Sequence, residues 1–249
     1  LEPDLGNAGG GKHPRAKEPP AARLAVFICR GYEVQIMRVI VIAGGEASGR
    51  EGWQTWVRGG DLVIGADGGA ARALGWGLIP DLVVGDMDSL PAPARAELEA
   101  RGSRFVEHPR AKDETDLELA LNAAVDAGAD EIVVLGALGG RLDHLLANVL
   151  LLALPRLKGV AVRIVDGQQQ ARLLRGGEAA DLEGQPGDLV SLLPLGGDAR
   201  GVTTTGLAWA LAGDTLRFGF SRGVSNEMSG RVARVELQAG YLLVVQGRY

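Results

Sequence analysis

The chain has 249 residues, 46% of them apolar, which suits one large domain or two ordinary ones with a substantial core. Its 26 Lys and Arg against 31 Asp and Glu leave a formal charge of −5, so no basic field exists to hold nucleic acid or an anionic membrane surface. A single cysteine, Cys29, excludes an internal disulfide and a thiolate zinc site, fits a reducing compartment such as the cytoplasm, and turns any metal site toward oxygen ligands.

Residues 1–36 are rich in Pro, Gly, Ala and mixed charge, and read as a disordered or spurious upstream extension, with Met37 a candidate start. Their one apolar run, Leu24 to Cys29, is too short to span a membrane and lacks a small-residue cleavage site. Gly6 to His13 imitates a phosphate-binding P-loop but fails on chemistry. His13 stands where Ser or Thr would bind Mg²⁺, and Pro14 follows where a helix should begin.

From Met37 onward, short apolar runs recur with room for a helix or long loop between them: Val39 to Ala43, Leu62 to Gly65, Leu82 to Gly85, Arg104 to Glu107, Ile132 to Leu135 and Val160 to Val165. Continuous rather than alternating apolar positions predict parallel strands covered on both faces, hence an α/β domain over residues 37–167. Leu117, Ala120, Leu121, Ala124 and Val125 trace one helical face, with Thr115 and Glu118 as a capping box and Gly128 as the stop. A second, very apolar helix is expected over Leu142 to Leu154, ending before Pro155. Residues 168–249 change style. Apolar runs at Leu189 to Leu193, Leu207 to Leu211, Leu216 to Phe220, Val232 to Leu237 and Tyr241 to Val245, separated by glycines, predict a small antiparallel β domain.

The chemistry-bearing residues fall at strand ends. Asp86 and Asp88 follow the third strand, and Asp113, Glu114 and Asp116 follow the fourth, so both groups reach the carboxyl edge of the sheet where open α/β folds bind ligands. On an extended segment Asp86 and Asp88, two apart, share one side. Two carboxylates about 5 Å apart repel by about 3 kcal/mol at an effective dielectric near 20, so the cluster calls for a cation, and all-oxygen ligands favour Mg²⁺. Taken singly, Asp86 reads as a turn residue and Asp116 as a helix-dipole residue; the metal reading rests on their joint placement. Gly44-Gly45, Gly65-Ala66-Asp67-Gly68-Gly69 and Gly139-Gly140-Arg141-Leu142-Asp143-His144 also follow strands, offering close backbone approach and helix N-termini to phosphate oxygens. Arg141 suits an anionic oxygen and Asp143 a ligand hydroxyl or metal-bound water, whereas His144 reads as an ordinary helix residue.

Taken in order, Gly65 to Ala70, Gly85 to Ser89, Lys112 to Asp116, Gly139 to His144, Thr203 to Trp209 and Val224 to Glu227 make the chain, from about Met37 to Val245, resemble the thiamine pyrophosphokinase family. The resemblance implies an N-terminal parallel-sheet, Rossmann-like nucleotide domain followed by a C-terminal β-sandwich. It implies a homodimer with sites at the subunit interface, and Mg²⁺-dependent conversion of ATP and thiamine to AMP and thiamine diphosphate. It assigns metal binding to Asp86, Asp88 and Asp116, places Asp113, Lys112 and Thr115 by the phosphates, and gives the thiamine side to Trp209, Ser225 and Asn226. A carboxylate, Asp113 or Asp86, would accept the hydroxyl proton.

Two rivals stand beside this reading. Asp86-Met87-Asp88 after a strand is the opening theme of haloacid dehalogenase phosphatases, but Leu90 replaces their threonine or valine and the motif follows the third strand, not the first. A non-enzymatic nucleotide or thiamine sensor would keep the aromatic and lose the acids, all of which are present here.

Overall fold

The computed structural model describes residues 36–45 and 52–248; the expected extension with its P-loop-like stretch and Cys29, apart from Ile36, lies outside the described residues. The parallel part consists of β1 (Arg38–Ile42), β2 (Leu62–Ala66), β3 (Leu82–Gly85), β4 (Arg104–Glu107), β5 (Glu131–Leu135) and β6 (Ala161–Asp166), each within a residue or so of its predicted run. Their order is β6-β5-β1-β2-β3-β4, all neighbours parallel.

Continuous apolar runs form because alternate side chains feed two different cores. Val39 and Val41 of β1 face a cluster completed by α3 (Asp116–Asp126), whereas Ile40 and Ile42 face a cluster covered by Trp53, Trp56 and Trp76. Each fully buried Ile or Leu stabilises the fold by about 2 kcal/mol. On that second side α1 (Gly68–Gly75) and α2 (Ala92–Ala100) add the cluster of Ala70, Val83, Leu90 and Leu98. The predicted cap of α3 is present: Thr115 Oγ1 accepts from Glu118 N at 3.2 Å, and Gly128 takes φ +89° just past the helix end.

The antiparallel part is β7 (Gln169–Arg175), β8 (Ala179–Glu183), β9 (Leu189–Pro194), β10 (Ala199–Thr205), β11 (Ala212–Leu216), β12 (Asn226–Glu227), β13 (Val232–Glu236) and β14 (Tyr241–Gly247). Four of these strands continue the parallel sheet in the order β12-β9-β14-β7, joined through the β6–β7 hairpin, to make ten strands in all. The other four form a second sheet, β11-β10-β13-β8. Leu174, Val190, Leu192, Leu242 and Val244 from one sheet meet Leu182, Val202, Leu216 and Val235 from the other, giving a sandwich.

Three sequence expectations need correction. The second helix, α4 (Leu142–Leu150), stops four residues early and passes into 3-10 turns at Leu151–Ala153 and Pro155–Leu157. Its apolar stretch is also divided: Val149 packs against the core, whereas Leu142, Leu146 and Leu150 are 70%, 53% and 54% exposed. Leu207 to Leu211 is a turn, holding one isolated bridge from Leu207 to Met228, and beyond Leu216 the run to Phe220 leaves the sheet.

Candidate active site

A cleft of about 610 Å³ opens at the carboxyl edge of the parallel strands, and its entire lining comes from residues 43–148. β1 is the strand from which the sheet order departs both ways, toward β2 and toward β5. The cleft is therefore bordered by Gly44 and Gly45 after β1 and by Ala137, Gly139 and Gly140 after β5, the switch-point position expected for a ligand. The beginnings of α1 (Gly68), α3 (Asp116, Leu117) and α4 (His144, preceded by Arg141) also meet there, so three helix N-termini present a positive field to anionic groups.

Close backbone approach makes this convergence feasible. A Cβ on Gly69 would lie 1.9 Å from Ile42 O, so only glycine lets α1 start against the end of β1. A Cβ on Gly85 would lie 2.8 Å from Asp67 Cβ and 3.0 Å from Asp116 Oδ1, filling the space the acids share.

Asp67, Asp86 and Asp116 bring one oxygen each within 4.8 Å of the others, the one such carboxylate group among the described residues. β2 delivers Asp67, whose N–H donates to Val84 O at 2.9 Å and so continues the β2–β3 ladder one step past Ala66. Asp67 is 4% exposed and holds φ +43°, ψ −114°, outside the usual regions for a side-chain-bearing residue. Its Oδ2 accepts from Ser89 N at 3.1 Å, while its buried Oδ1 has no partner among the described residues. Burial raises the Asp67 pKa; hydrogen bonds from Ser89 oppose that, and the charge of Asp116 adds to it. A buried carboxylate with an unpaired oxygen, grouped with two further carboxylates, fits a hard divalent cation.

Asp86 has the opposite balance. Its Oδ1 accepts from Asp88 N at 3.2 Å and its Oδ2 from Lys112 Nζ at 3.1 Å, and these contacts, the Asp88 N–H first, lower its pKa. Lys112 Nζ also lies 3.0 Å from Asp116 Oδ1. Asp88 does not join the three acids, because Met87 takes φ +62° and turns the chain out of the extended conformation. Asp88 instead pairs with Arg110 at 3.2 Å and accepts from Ser89 Oγ at 2.9 Å.

Of the remaining residues singled out in the sequence, Gly44, Gly45, Gly68, Lys112, Thr115, Gly140 and Arg141 line the cleft, Gly69 is buried beneath it, and Asp113 is exposed outside the lining. Arg141 Nη2 grips Asp143 Oδ2 at 2.5 Å. His144 lines the cleft too, as does Asn148, whose Nδ2 donates to Ala137 O at 2.7 Å and ties α4 to the end of β5. Arg141, His144 and Asn148 recur at helical spacing, a polar face the sequence carried but which its leucines overshadowed. Arg72 also escaped notice: its Nη2 donates to Gly44 O at 3.3 Å and its guanidinium lies 5.9 Å from the Trp76 ring centre, bracing the glycine turn from α1.

Trp209, Ser225 and Asn226 stand apart from this cleft lining. Trp209 is 61% exposed. Ser225 has φ +59°, and Asn226 is 6% exposed with its carboxamide bonded to the Trp209 backbone.

Comparisons with known proteins bear on the family and the fold. The family model for the thiamin pyrophosphokinase catalytic domain matches residues 53–164, and that for the vitamin B1 binding domain of thiamin pyrophosphokinase matches residues 180–242. The thiamine pyrophosphokinase of Bacillus subtilis is 29% identical over 185 residues, 74% of this chain and 86% of that protein. The crystal structure of a thiamine pyrophosphokinase from Bacillus subtilis superposes with a TM-score of 0.76 at 27% identity, covering 85% of this chain and 99% of that one. A thiamin pyrophosphokinase family protein from Enterococcus faecalis gives 0.72 at 28% identity, covering 85% and 99%. The phosphatase and sensor readings gain no support, and Leu90 is buried in the core under α2. With both family domains matched in order and the fold shared along most of its length, the chain belongs to the thiamine pyrophosphokinase family.

Proposed function

We propose that the protein transfers the diphosphoryl group of ATP to the hydroxyl of thiamine, giving thiamine diphosphate and AMP. The observation that carries this reading is the group of Asp67, Asp86 and Asp116, of which Asp67 and Asp116 line a cleft walled by three helix N-termini. That arrangement suits a polyphosphate with its cation better than a neutral ligand. The three acids would hold Mg²⁺, with Asp88 one step behind them through Asp86. When bound, the ion offsets the charge of the phosphate oxygens during transfer.

The chain's own groups do the rest. Gly44, Gly45, Gly68, Gly69 and Gly140 let the nucleotide approach the backbone, while Thr115 and Arg141 supply side-chain contacts at the mouth and Asp143 holds the Arg141 guanidinium in place. Lys112 keeps Asp86 and Asp116 together and lies within reach of the phosphates. Asp88 N–H and Lys112 stabilise the ionised form of Asp86, which makes it a poor acceptor for the hydroxyl proton. Trp209 offers its exposed indole to the cationic thiamine rings, a contact worth about 0.5 to 2 kcal/mol.

The division of labour falls at residues 167/168, nucleotide before and thiamine after. That no residue beyond Asn148 lines the cleft supports a reading in which the ATP and thiamine machinery of one chain do not share it. We therefore infer a homodimer in which the cleft of one protomer faces the Trp209 surface of its partner, with the exposed leucines of α4, beside the cleft, at the contact. The single cysteine and the use of ATP support a cytoplasmic location. Incubation with ATP, Mg²⁺ and thiamine tests the activity: AMP and thiamine diphosphate should form in equal amounts. Stoichiometric ADP would overturn the diphosphoryl assignment.

A further inference from the structure

Trp209 stands on a turn between β10 and β11, not on a strand. Leu207 bridges Met228 in antiparallel fashion, and Ala208 N donates to Glu227 O at 2.9 Å. One step further, the ladder would bring the peptide groups of Trp209 opposite residue 226. The partner they meet there is a side chain. Trp209 N donates to Asn226 Oδ1 at 3.0 Å, and Asn226 Nδ2 donates to Trp209 O at 2.7 Å. The carboxamide thus takes the place of a peptide unit and pairs with both backbone groups of the tryptophan. Its Oδ1 also accepts from Glu227 N at 2.9 Å, so the amide's orientation is fixed by two donors on oxygen and one acceptor on nitrogen.

The support is itself anchored. Asn226 pairs with Val190 of β9, inside the ten-stranded sheet, and the preceding Ser225, at φ +59°, donates its N–H to Ser191 Oγ at 3.0 Å. Asn226 is 6% exposed while the indole it supports is 61% exposed. Its amide is turned inward and committed to protein groups, which leaves it little to offer a ligand directly.

We infer that Asn226 is a positioning residue for thiamine binding: its carboxamide fixes the Trp209 backbone, and so the point and direction from which the indole projects, before substrate arrives. The inference rests on the proposed role of Trp209 as the stacking surface. A turn outside the strands leaves the main chain beneath an exposed aromatic with freedom that binding must remove, and two oppositely directed hydrogen bonds remove that backbone freedom in advance. Asparagine is the side chain suited to the task. Aspartate of the same size lacks the donor and turns an anionic oxygen toward Trp209 O, and alanine leaves both peptide groups unpaired.

Kinetics of Trp209→Ala, Asn226→Asp and the double variant, with ¹⁹F spectra of protein carrying fluorotryptophan, test this. Asn226→Asp should raise the KM for thiamine roughly tenfold and leave the KM for ATP within about twofold. The Trp209 resonance should move while those of Trp53, Trp56 and Trp76 stay. In the Trp209→Ala background the Asn226→Asp change should add less than about a factor of two, because the two residues act as one unit. Additive effects would mean that Asn226 touches thiamine itself and would overturn the inference, as would an unchanged thiamine KM in Asn226→Asp. A rise in both KM values with all four resonances displaced would assign Asn226 to general folding and also overturn it. If Trp209→Ala alone leaves the thiamine KM unchanged while turnover persists, the stacking surface is wrong, and the inference falls with it.

Discussion

The ammonium of Lys112 lies 3.1 Å from Asp86 Oδ2 although 26 residues separate the two along the chain. The same nitrogen is 3.0 Å from Asp116 Oδ1, and the Lys112 side chain is only 11% exposed. Burial works against the charged lysine, but hydrogen bonds to Asp116 and Asp86 outweigh it and raise the pKa. Lys112 is therefore a built-in counter-ion for an acid cluster that repels itself. Lys112→Met should cost about 2 kcal/mol of stability in metal-free buffer, since removing one partner strands the other charges. Mg²⁺ should restore part of that loss, so the Mg²⁺-induced rise in Tm should be larger in the variant than in the parent. Equal rises in both would show that lysine and metal do not answer to the same charges.

Asp67 makes the complementary case, a residue whose ionised form burdens the fold. Burial raises its pKa, and asparagine at the same position keeps an oxygen to accept from Ser89 N while tolerating the positive φ. Asp67→Asn should therefore stabilise the metal-free protein by about 1 kcal/mol in urea melts while removing most of the stabilisation that Mg²⁺ confers. A variant that unfolds at lower urea would contradict the account of Asp67 as a strained, desolvated acid.

The contrast between Asp67 and Asp88 shows what a sequence can carry. The central parallel strands were legible because they are buried on both faces, so Val39 to Ile42 reads as one apolar run, whereas the edge strand β4 is mostly exposed. The sandwich strands were harder. Within β7, Ala171 and Leu173 serve one core and Leu174 another, while Gln170, Arg172 and Arg175 interrupt the run, and no simple period survives. Asp88 shares the motif of Asp86, yet a positive φ at Met87 separates the two. Asp67 sits nineteen positions before Asp86, and only the pairing of Ala66 with Val84 makes them neighbours. Parallel register is set by the crossover helix and its packing, which spacing alone does not reveal.

A pH-dependent test follows from the mouth of the cleft. Arg141 holds the Asp143 pKa down to about 2, and His144 N–H at 3.0 Å assists. A carboxylate with a depressed folded pKa favours the folded form above its ordinary value of 3.8 and loses that contribution as the pH falls through about 2. The Arg141–Asp143 contact should thus persist unchanged from neutral pH down to the ordinary carboxylate range. Carbon NMR of the Asp143 carboxyl group should show a midpoint near 2 in the parent and an upward move in Arg141→Ala. A midpoint that ignores the arginine would remove the reason given for Asp143 as the residue that holds the Arg141 guanidinium.

The leucine stripe of α4 supplies the test of assembly. Arg141, His144 and Asn148 turn toward the cleft, whereas Leu142, Leu146 and Leu150, spaced four apart, remain more than half exposed on the same helix. An apolar stripe of that kind beside an active site is unfavourable in water unless another surface covers it. Leu146→Glu introduces a charge where a second copy would pack, and should weaken self-association at least about tenfold by sedimentation equilibrium. Because Leu146 is 53% exposed, the urea midpoint of the isolated protomer should change by less than about 0.5 kcal/mol equivalent. Turnover at low protein concentration should fall with the dimer fraction and recover as concentration rises. An active monomer, or a variant that associates as well as the parent, would place the Trp209 surface and the acid cleft in the same protomer's service and require another partner for the stripe.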